Sequence, residues 1–414
     1  MTKTLLIKNA RLLDPLKPEL QDRHDILVEG DTIREVSDRP IAARDARVID
    51  AAGRTVMPGL IDLHVHLVAV ELNLMRQALM PNVLVTLRSL PILRGMLRRG
   101  FTTVRDAGGA GYAFKQAVQS GLAQGPRLFV SGRALSQTGG HGDGRGRSDY
   151  LLTGDVCPNC ARVGAIARVA DGVDAVRKAA REELQMGADQ IKIMAGGGVA
   201  SPTDPVDALG YGEDEVRAIV AEATARNTYV LAHAYTPAAI ERVVRCGVRT
   251  IEHGNLVDAP AAALMAERGA YAVPTLVTYD ALAKEGAALG LPPASVAKVE
   301  HVRGTGLRAL EIYRSAGVKM GFGSDLLGES HRLQSDEFRL RSQVLSPAEV
   351  IASATLVGAE VLGMGDRLGR LAPGALADLL LVDGDPLRSL DCLLGQGERI
   401  PLVMKAGVVE FDAL

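Results

Sequence analysis

The chain has 414 residues, 47% of them hydrophobic, and a formal net charge of -2. That length exceeds one small core and suits a large α/β domain of about 250 residues or more with an accessory unit. The near-neutral charge argues against a nucleic-acid partner or an anionic membrane surface, and no apolar run approaches the roughly 20 residues of a membrane helix.

In chain order, residues 1–57 carry short apolar runs at 4–8, 25–29, 32–36 and 47–50, separated by Asp, Gly and Pro turns, and read as strands. A similar signal returns at 377–383 and 401–409. The two ends are expected to pair as one small β-sandwich domain, residues 1–57 and 371–414. It would flank a central domain of residues 58–370. The N-terminus lacks a signal-peptide pattern, so the expected location is cytoplasmic. Trp is absent and aromatics make up 3%, so the core must rest on Val, Leu, Ile and Ala.

Between the ends, eight apolar runs alternate with helical stretches: 60–66, 102–106, 127–132, 190–195, 229–233, 250–253, 271–275 and 319–325. Helix formers fill 173–185 and 213–226. Continuous apolar strands alternating with helices point to a parallel sheet, and eight of them to a (β/α)8 TIM-like barrel. A long loop, 136–171, follows the third run and contains Gly139-Gly140-His141-Gly142. Loops of that length are commonly functional, and this one belongs on the face where barrel active sites form. It also holds Cys157 and Cys160, a lone CxxC. Without a second pair or a His cluster this is weak evidence for zinc. A redox-sensitive pair is possible, and an inessential loop feature is the plainer reading.

His64 and His66 lie two apart at the end of the first run, so a strand aims both imidazoles the same way. Paired imidazoles suit a divalent metal, although two core histidines are the bland alternative. Lys192, His233, His253 and Asp325 occupy runs four, five, six and eight, where barrel chemistry sits. His24, His301 and His331 stand in polar surroundings and are expected at the surface.

His64-x-His66, Lys192, His233, His253 and Asp325, in that order, resemble the amidohydrolase superfamily over essentially the whole chain. The segments 135–143 and 191–201 are more similar to its imidazolonepropionase-related branch. That branch includes Xaa-Pro dipeptidases (prolidase-like) and relatives that hydrolyse other N-acyl amino acids, among them ochratoxin A. The resemblance implies two divalent metal ions, zinc first, with manganese or cobalt as alternatives. His64, His66 and Asp325 would hold one and His233 and His253 the other. Lys192, carboxylated by carbon dioxide, would bridge them. An ammonium has no lone pair to ligate a cation, whereas a carbamate has two oxygens. Asp325 would take a proton from water and pass it to the leaving nitrogen.

His141 and Tyr235 should overlook the same centre and could hydrogen-bond the developing oxyanion or a substrate carboxylate. Arg145 and Arg147 could hold a carboxylate bidentately, but surface solvation is the plainer reading. The glycines at 196–198 are followed by no GK[ST], so they make no nucleotide site and instead let substrate approach Lys192. The leading reading is a binuclear metal-dependent amidohydrolase. It would cleave the amide bond to a C-terminal amino or imino acid in dipeptides or N-acyl amino acids. The alternatives are hydrolysis of a cyclic amide, as in imidazolonepropionase, and a non-catalytic barrel scaffold. A scaffold has no use for a proton shuttle such as Asp325. The resemblance also implies a homo-oligomer.

Overall fold

Thr4–Leu13 buries most of its side chains and anchors a sheet of eight strands. A computed structural model describes residues 4–145, 165–201, 204–288, 291 and 293–414. The sheet runs Val408–Asp412, Leu402–Lys405, Leu379–Val382, Thr55–Pro58, Thr4–Leu13, Leu20–Glu29, Thr32–Ser37, with Arg47–Asp50 also paired to Thr4–Leu13. The C-terminal segment joins the N-terminal one directly, as Leu379–Val382 lies antiparallel on Thr55–Pro58 with Leu380 opposite Met57. Ile7, Ile26, Val56, Leu379, Leu402 and Met404 form the apolar layer of this sheet.

The central strands are parallel, and Leu60–Val65, Phe101–Asp106, Val230–Ala234 and Thr250–His253 are wholly buried, as continuous apolar runs require. They fall into two sheets. Leu60–Val65, Phe101–Asp106 and Arg127–Val130 make one. The other runs Ala167–Val169, Ala134–Ser136, Ile191–Met194, Val230–Ala234, Thr250–His253, Tyr271–Val273. Helices between them start at sequence-encoded caps. Thr236 Oγ1 accepts from Ala239 N at Pro237–Arg245, and Asp258 Oδ1 accepts from Ala261 N at Ala259–Glu267.

Three expectations change. The third run is broken at Gly132, whose φ of 62° turns the chain so that Arg127–Val130 and Ala134–Ser136 join different sheets. The long loop ends in the strand Ala167–Val169, which pairs with Ala134–Ser136 and was not apparent in the sequence. The eighth run, 319–325, is no regular strand and makes a single bridge, Met320 to Ala272. Its glycines explain this. Gly321 sits against Leu63 and Gly323 against Val273 and His64, too close for added side chains. The backbone still bonds to both sides, Gly321 N to Ala272 O at 2.8 Å and Leu63 N to Phe322 O at 2.8 Å. No helix among the described residues is long and apolar enough to cross a membrane.

The eight-stranded sheet and the parallel strands are tied by a part-buried ion pair. Asp378, 3% exposed, accepts from Arg127 Nη1 at 2.5 Å and Nη2 at 3.2 Å, and from Ala406 N at 2.8 Å. Asp378→Ala is expected to lower unfolding free energy by about 1–3 kcal/mol, because it removes the acceptor of Ala406 N and the carboxylate partner of a half-buried guanidinium. Urea denaturation read by circular dichroism checks this.

Candidate metal centre and active site

The strand Leu60–Val65 ends beside the irregular segment 319–325, and two backbone bonds lock them together. Ser324 N and Asp325 N donate to His64 O at 3.2 and 2.8 Å. This places Asp325 Oδ1 3.3 Å from His64 Nε2 and 3.1 Å from His66 Nε2. The two histidines do face one point, as strand alternation predicts. Ligand atoms of His64, His253 and Asp325 all lie within 4.8 Å of one another. The His253 ring lies tilted against His64 and edge-on to His233, with ring centroids 4.9 and 4.6 Å apart.

The opposite ring edges are held by fixed oxygens. His64 Nδ1 donates to Glu252 Oε2 at 2.7 Å, His66 Nδ1 to Gly108 O at 2.8 Å, and His233 Nε2 to Gly197 O at 2.9 Å. His253 Nδ1 meets Thr275 Oγ1 at 2.8 Å. For His64 and His66 the contact leaves Nε2 facing Asp325, the arrangement found around ligating imidazoles. His64 Nε2 is buried without a hydrogen-bond partner. Burial, and then the neighbouring His141 and Lys192, hold His233 well below the usual histidine range. Burial and then His233 do the same for His253. Both therefore present neutral rings with lone pairs. Burial would raise the Asp325 carboxyl, but His64, His66 and His253 outweigh it and keep it ionised.

Lys192 is 1% exposed and has neither a hydrogen bond nor an ion pair to any described residue. Burial lowers its pKa to about 8. A buried ammonium with no partner is unfavourable, and the same position suits a negatively charged carbamate. Neutral imidazoles, one carboxylate, an unpaired acceptor at His64 and an unpartnered lysine together fit a divalent metal centre.

The centre opens into a cavity of about 300 Å3. His141 and Tyr235 both line it, and His141 stacks on His233 with centroids 4.3 Å apart. Tyr235 Oη lies 2.9 Å from Tyr279 Oη, and burial pushes its pKa up, so it remains a donor. Leu72, Leu282, Leu291 and Leu327 form an apolar wall. Gly196 and Gly197 are not among the lining residues; Val199, Ala200 and Ser201, just beyond the glycines, are.

Other expectations are corrected. His331 is not at the surface. It is 6% exposed, because the turn Gly328–Leu333 folds under the loop after His66, and its Nε2 meets Ala69 O at 3.1 Å. His301 is exposed and His24 partly so. Arg145 is not solvated but grips Asp143 through Nε and Nη2, each at 2.8 Å, with 11% of its side chain exposed. Arg147, Cys157 and Cys160 lie outside the described residues.

The sequence reading missed Arg105 and Glu252. Both are fully buried, and Arg105 Nη2 donates to Glu252 Oε1 at 2.7 Å. Their signal was present: two charges inside apolar runs have a place only as a pair. Asp106 was also missed. Its carboxylate accepts from Leu67, Gly108 and Ala110 N at 2.7 to 3.1 Å and shapes the turn that offers Gly108 O to His66.

A buried, preformed His/Asp/Lys centre at the ends of parallel strands defines the class. The profile of the Amidohydrolase family matches residues 55–409, and the chain belongs to that family. The ochratoxinase of Aspergillus niger is 32% identical over 305 residues, which cover 71% of this chain and 62% of that protein's length. A crystal structure of an amidohydrolase superimposes at TM-score 0.97, with 70% identity and 99% of both chains covered. A prolidase crystal structure in complex with N-methylphosphonate-L-proline superimposes at TM-score 0.96, with 57% identity, covering 98% of this chain and 99% of the other.

Glu252→Gln is expected to weaken divalent-metal affinity by about 10- to 100-fold, since it removes the carboxylate that orients His64. Titration with a chromogenic chelator, scored by metal retained per chain, checks it.

Proposed function

We propose that this protein is a binuclear metal-dependent hydrolase of the amide bond to a C-terminal imino or amino acid. Its substrates would be Xaa-Pro dipeptides and N-acyl amino acids. In this reading the two parallel sheets form one closed (β/α)8 barrel, residues 58–370, beside a β domain of 1–57 and 371–414. The backbone bonds from 319–325 to both neighbouring strands support closure.

Lys192 is the observation that carries the reading. It is enclosed, without a partner among the described residues, beside four histidines and Asp325 that share its cavity. His64, His66 and Asp325 would hold one cation and His233 and His253 a second, with Lys192 carboxylated between them. Divalent cations bound there would supply Lewis acidity, activating water and polarising the scissile carbonyl.

The side chains do the rest. Asp325, ionised and beside His64, His66 and His253, takes the water proton and carries it to the leaving nitrogen. A prolyl nitrogen leaves poorly unless protonated, so this delivery is needed. Tyr235 and His141 meet the oxyanion or the substrate carboxylate. The leucine wall excludes water from the acyl side. The similar prolidase, whose structure holds a proline phosphonate, favours proline as the released residue.

A library of dipeptides and N-acyl amino acids, scored with zinc-loaded enzyme for release of the C-terminal residue, tests the proposal. Proline release is expected, and Asp325→Asn at matched metal content should lower kcat by about 10²- to 10⁴-fold. Absence of release from every member, with two metals bound per chain, overturns it in favour of cyclic amides. For Lys192, growth on ¹³C-bicarbonate should give a carbamate resonance in the wild type that is missing from Lys192→Ala.

A further inference from the structure

His141 is set by a loop that is itself anchored from a neighbouring helix. Its Nδ1 lies 2.9 Å from Ser201 Oγ and 3.9 Å from Asp204 Oδ2. Ser201 Oγ donates in turn to Gly198 O at 3.3 Å, so it accepts from His141 Nδ1–H. Asp204 Oδ2 accepts from Gly198 N at 2.8 Å, while its Oδ1 is buried with no partner among the described residues. Nε2, on the opposite ring edge, is the nitrogen left for a substrate. Gly198 lies flat under the imidazole, where any Cβ would overlap the ring. The ring position is therefore dictated by Gly198, Ser201 and Asp204.

Among the described residues, Lys298 reaches that backbone from outside with three hydrogen bonds. Lys298, on the helix Pro293–Arg303, donates from Nζ to three carbonyls of this loop: Gly198 O at 3.2 Å, Ser201 O at 3.0 Å and Asp204 O at 2.6 Å. An ammonium has three donors, and all three are used on a single loop. Lys298 has no carboxylate partner within salt-bridge distance among the described residues and does not line the cavity. A cation spent wholly on loop carbonyls is an unusual use of a lysine, and here it joins the helix to the loop that carries the imidazole's hydrogen-bond partners.

We propose that Lys298 is a positioning residue for the reaction. It ties Gly198, Ser201 and Asp204 together and through them fixes the orientation of His141 over the metal centre. This rests on the reading of His141 as a substrate-contacting residue. The same helix packs against Leu276–Glu285, which brings Leu282 and Tyr279 to the cavity wall, so the clamp also fixes the loop relative to that wall.

The test is a double-mutant cycle on full-length, metal-loaded enzyme with the best amide substrate from the library. Lys298→Met is expected to lower kcat/KM by about 10- to 100-fold, the scale of a reacting group misplaced by about 1 Å. Metal content should not change. In His141→Ala, adding Lys298→Met is expected to cost less than about 2-fold more, because the clamp acts through a ring no longer present. Equal costs of Lys298→Met in both backgrounds, or no cost in the wild type, overturn the proposal.

A second measurement needs no substrate. Amide hydrogen exchange at residues 196–201 and 204 should speed up in Lys298→Met while that of Leu60–Val65 stays the same. Unchanged exchange in the loop overturns the clamp even if no amide proves to be a substrate, so the two failures are distinguishable. Lys298→Gln, which keeps a single amide donor group, takes the place of the methionine variant if that one does not fold.

Discussion

The buried pair of Arg105 and Glu252 is the interaction on which the centre depends. Neither side chain reaches solvent, so each charge must be matched inside the protein. Glu252 is fully engaged: Arg105 Nη2 and Thr250 Oγ1 donate to Oε1, and His64 Nδ1 donates to Oε2. Arg105 also donates to Leu63 O and Thr250 Oγ1. Burial would raise the Glu252 carboxyl, but Arg105 and then His64 bring it down to about 2. The result is a fixed anion below His64 that decides which nitrogen of that ring keeps its lone pair. Apolar residues of the same size would pack as well, but would leave the imidazole free to rotate.

Backbone conformation adds a second constraint. Among non-glycine residues, His253 has φ of 70° and Asp325 φ of 53°. Left-handed conformations at such residues cost of order 1 kcal/mol or more and persist where the surroundings impose them. Both fall at the ends of segments that meet at His64. The turn at His253 lets two successive residues face inward, so that Glu252 hydrogen-bonds His64 while the His253 ring packs tilted against it. Strict strand alternation would have sent one of them outward. The strain is located where the centre needs two side chains from one short stretch.

Around this floor, the upper part of the site comes from loops, and several of its polar groups bond one another. Asp143 holds Arg145, Ser201 holds His141, and Lys298 holds the backbone beneath both Ser201 and Gly198. The four buried histidines and Lys192 thus lie on or at the ends of parallel strands, and His141 on a clamped loop. Such a division lets loop residues change without disturbing the floor.

The sequence by itself determined the parallel α/β core, the pairing of the two chain ends in one sheet, and the set His64, His66, Lys192, His233, His253 and Asp325. Those signals are local: apolar runs of strand length, a His-x-His alternation, and single ionisable residues at the ends of such runs. Tertiary structure decided the rest, because it depends on partners distant in the chain. Arg105 and Glu252 read as two misplaced charges until they meet across the strands. His331 reads as a surface residue until the turn that carries it folds beneath the loop after His66. The run 319–325 reads as a strand, but its glycines are pressed against Leu63 and His64, and it keeps only the backbone bonds that set Asp325 in place. Lys298 has no sequence signal at all, since its three acceptors are carbonyls, which every residue has.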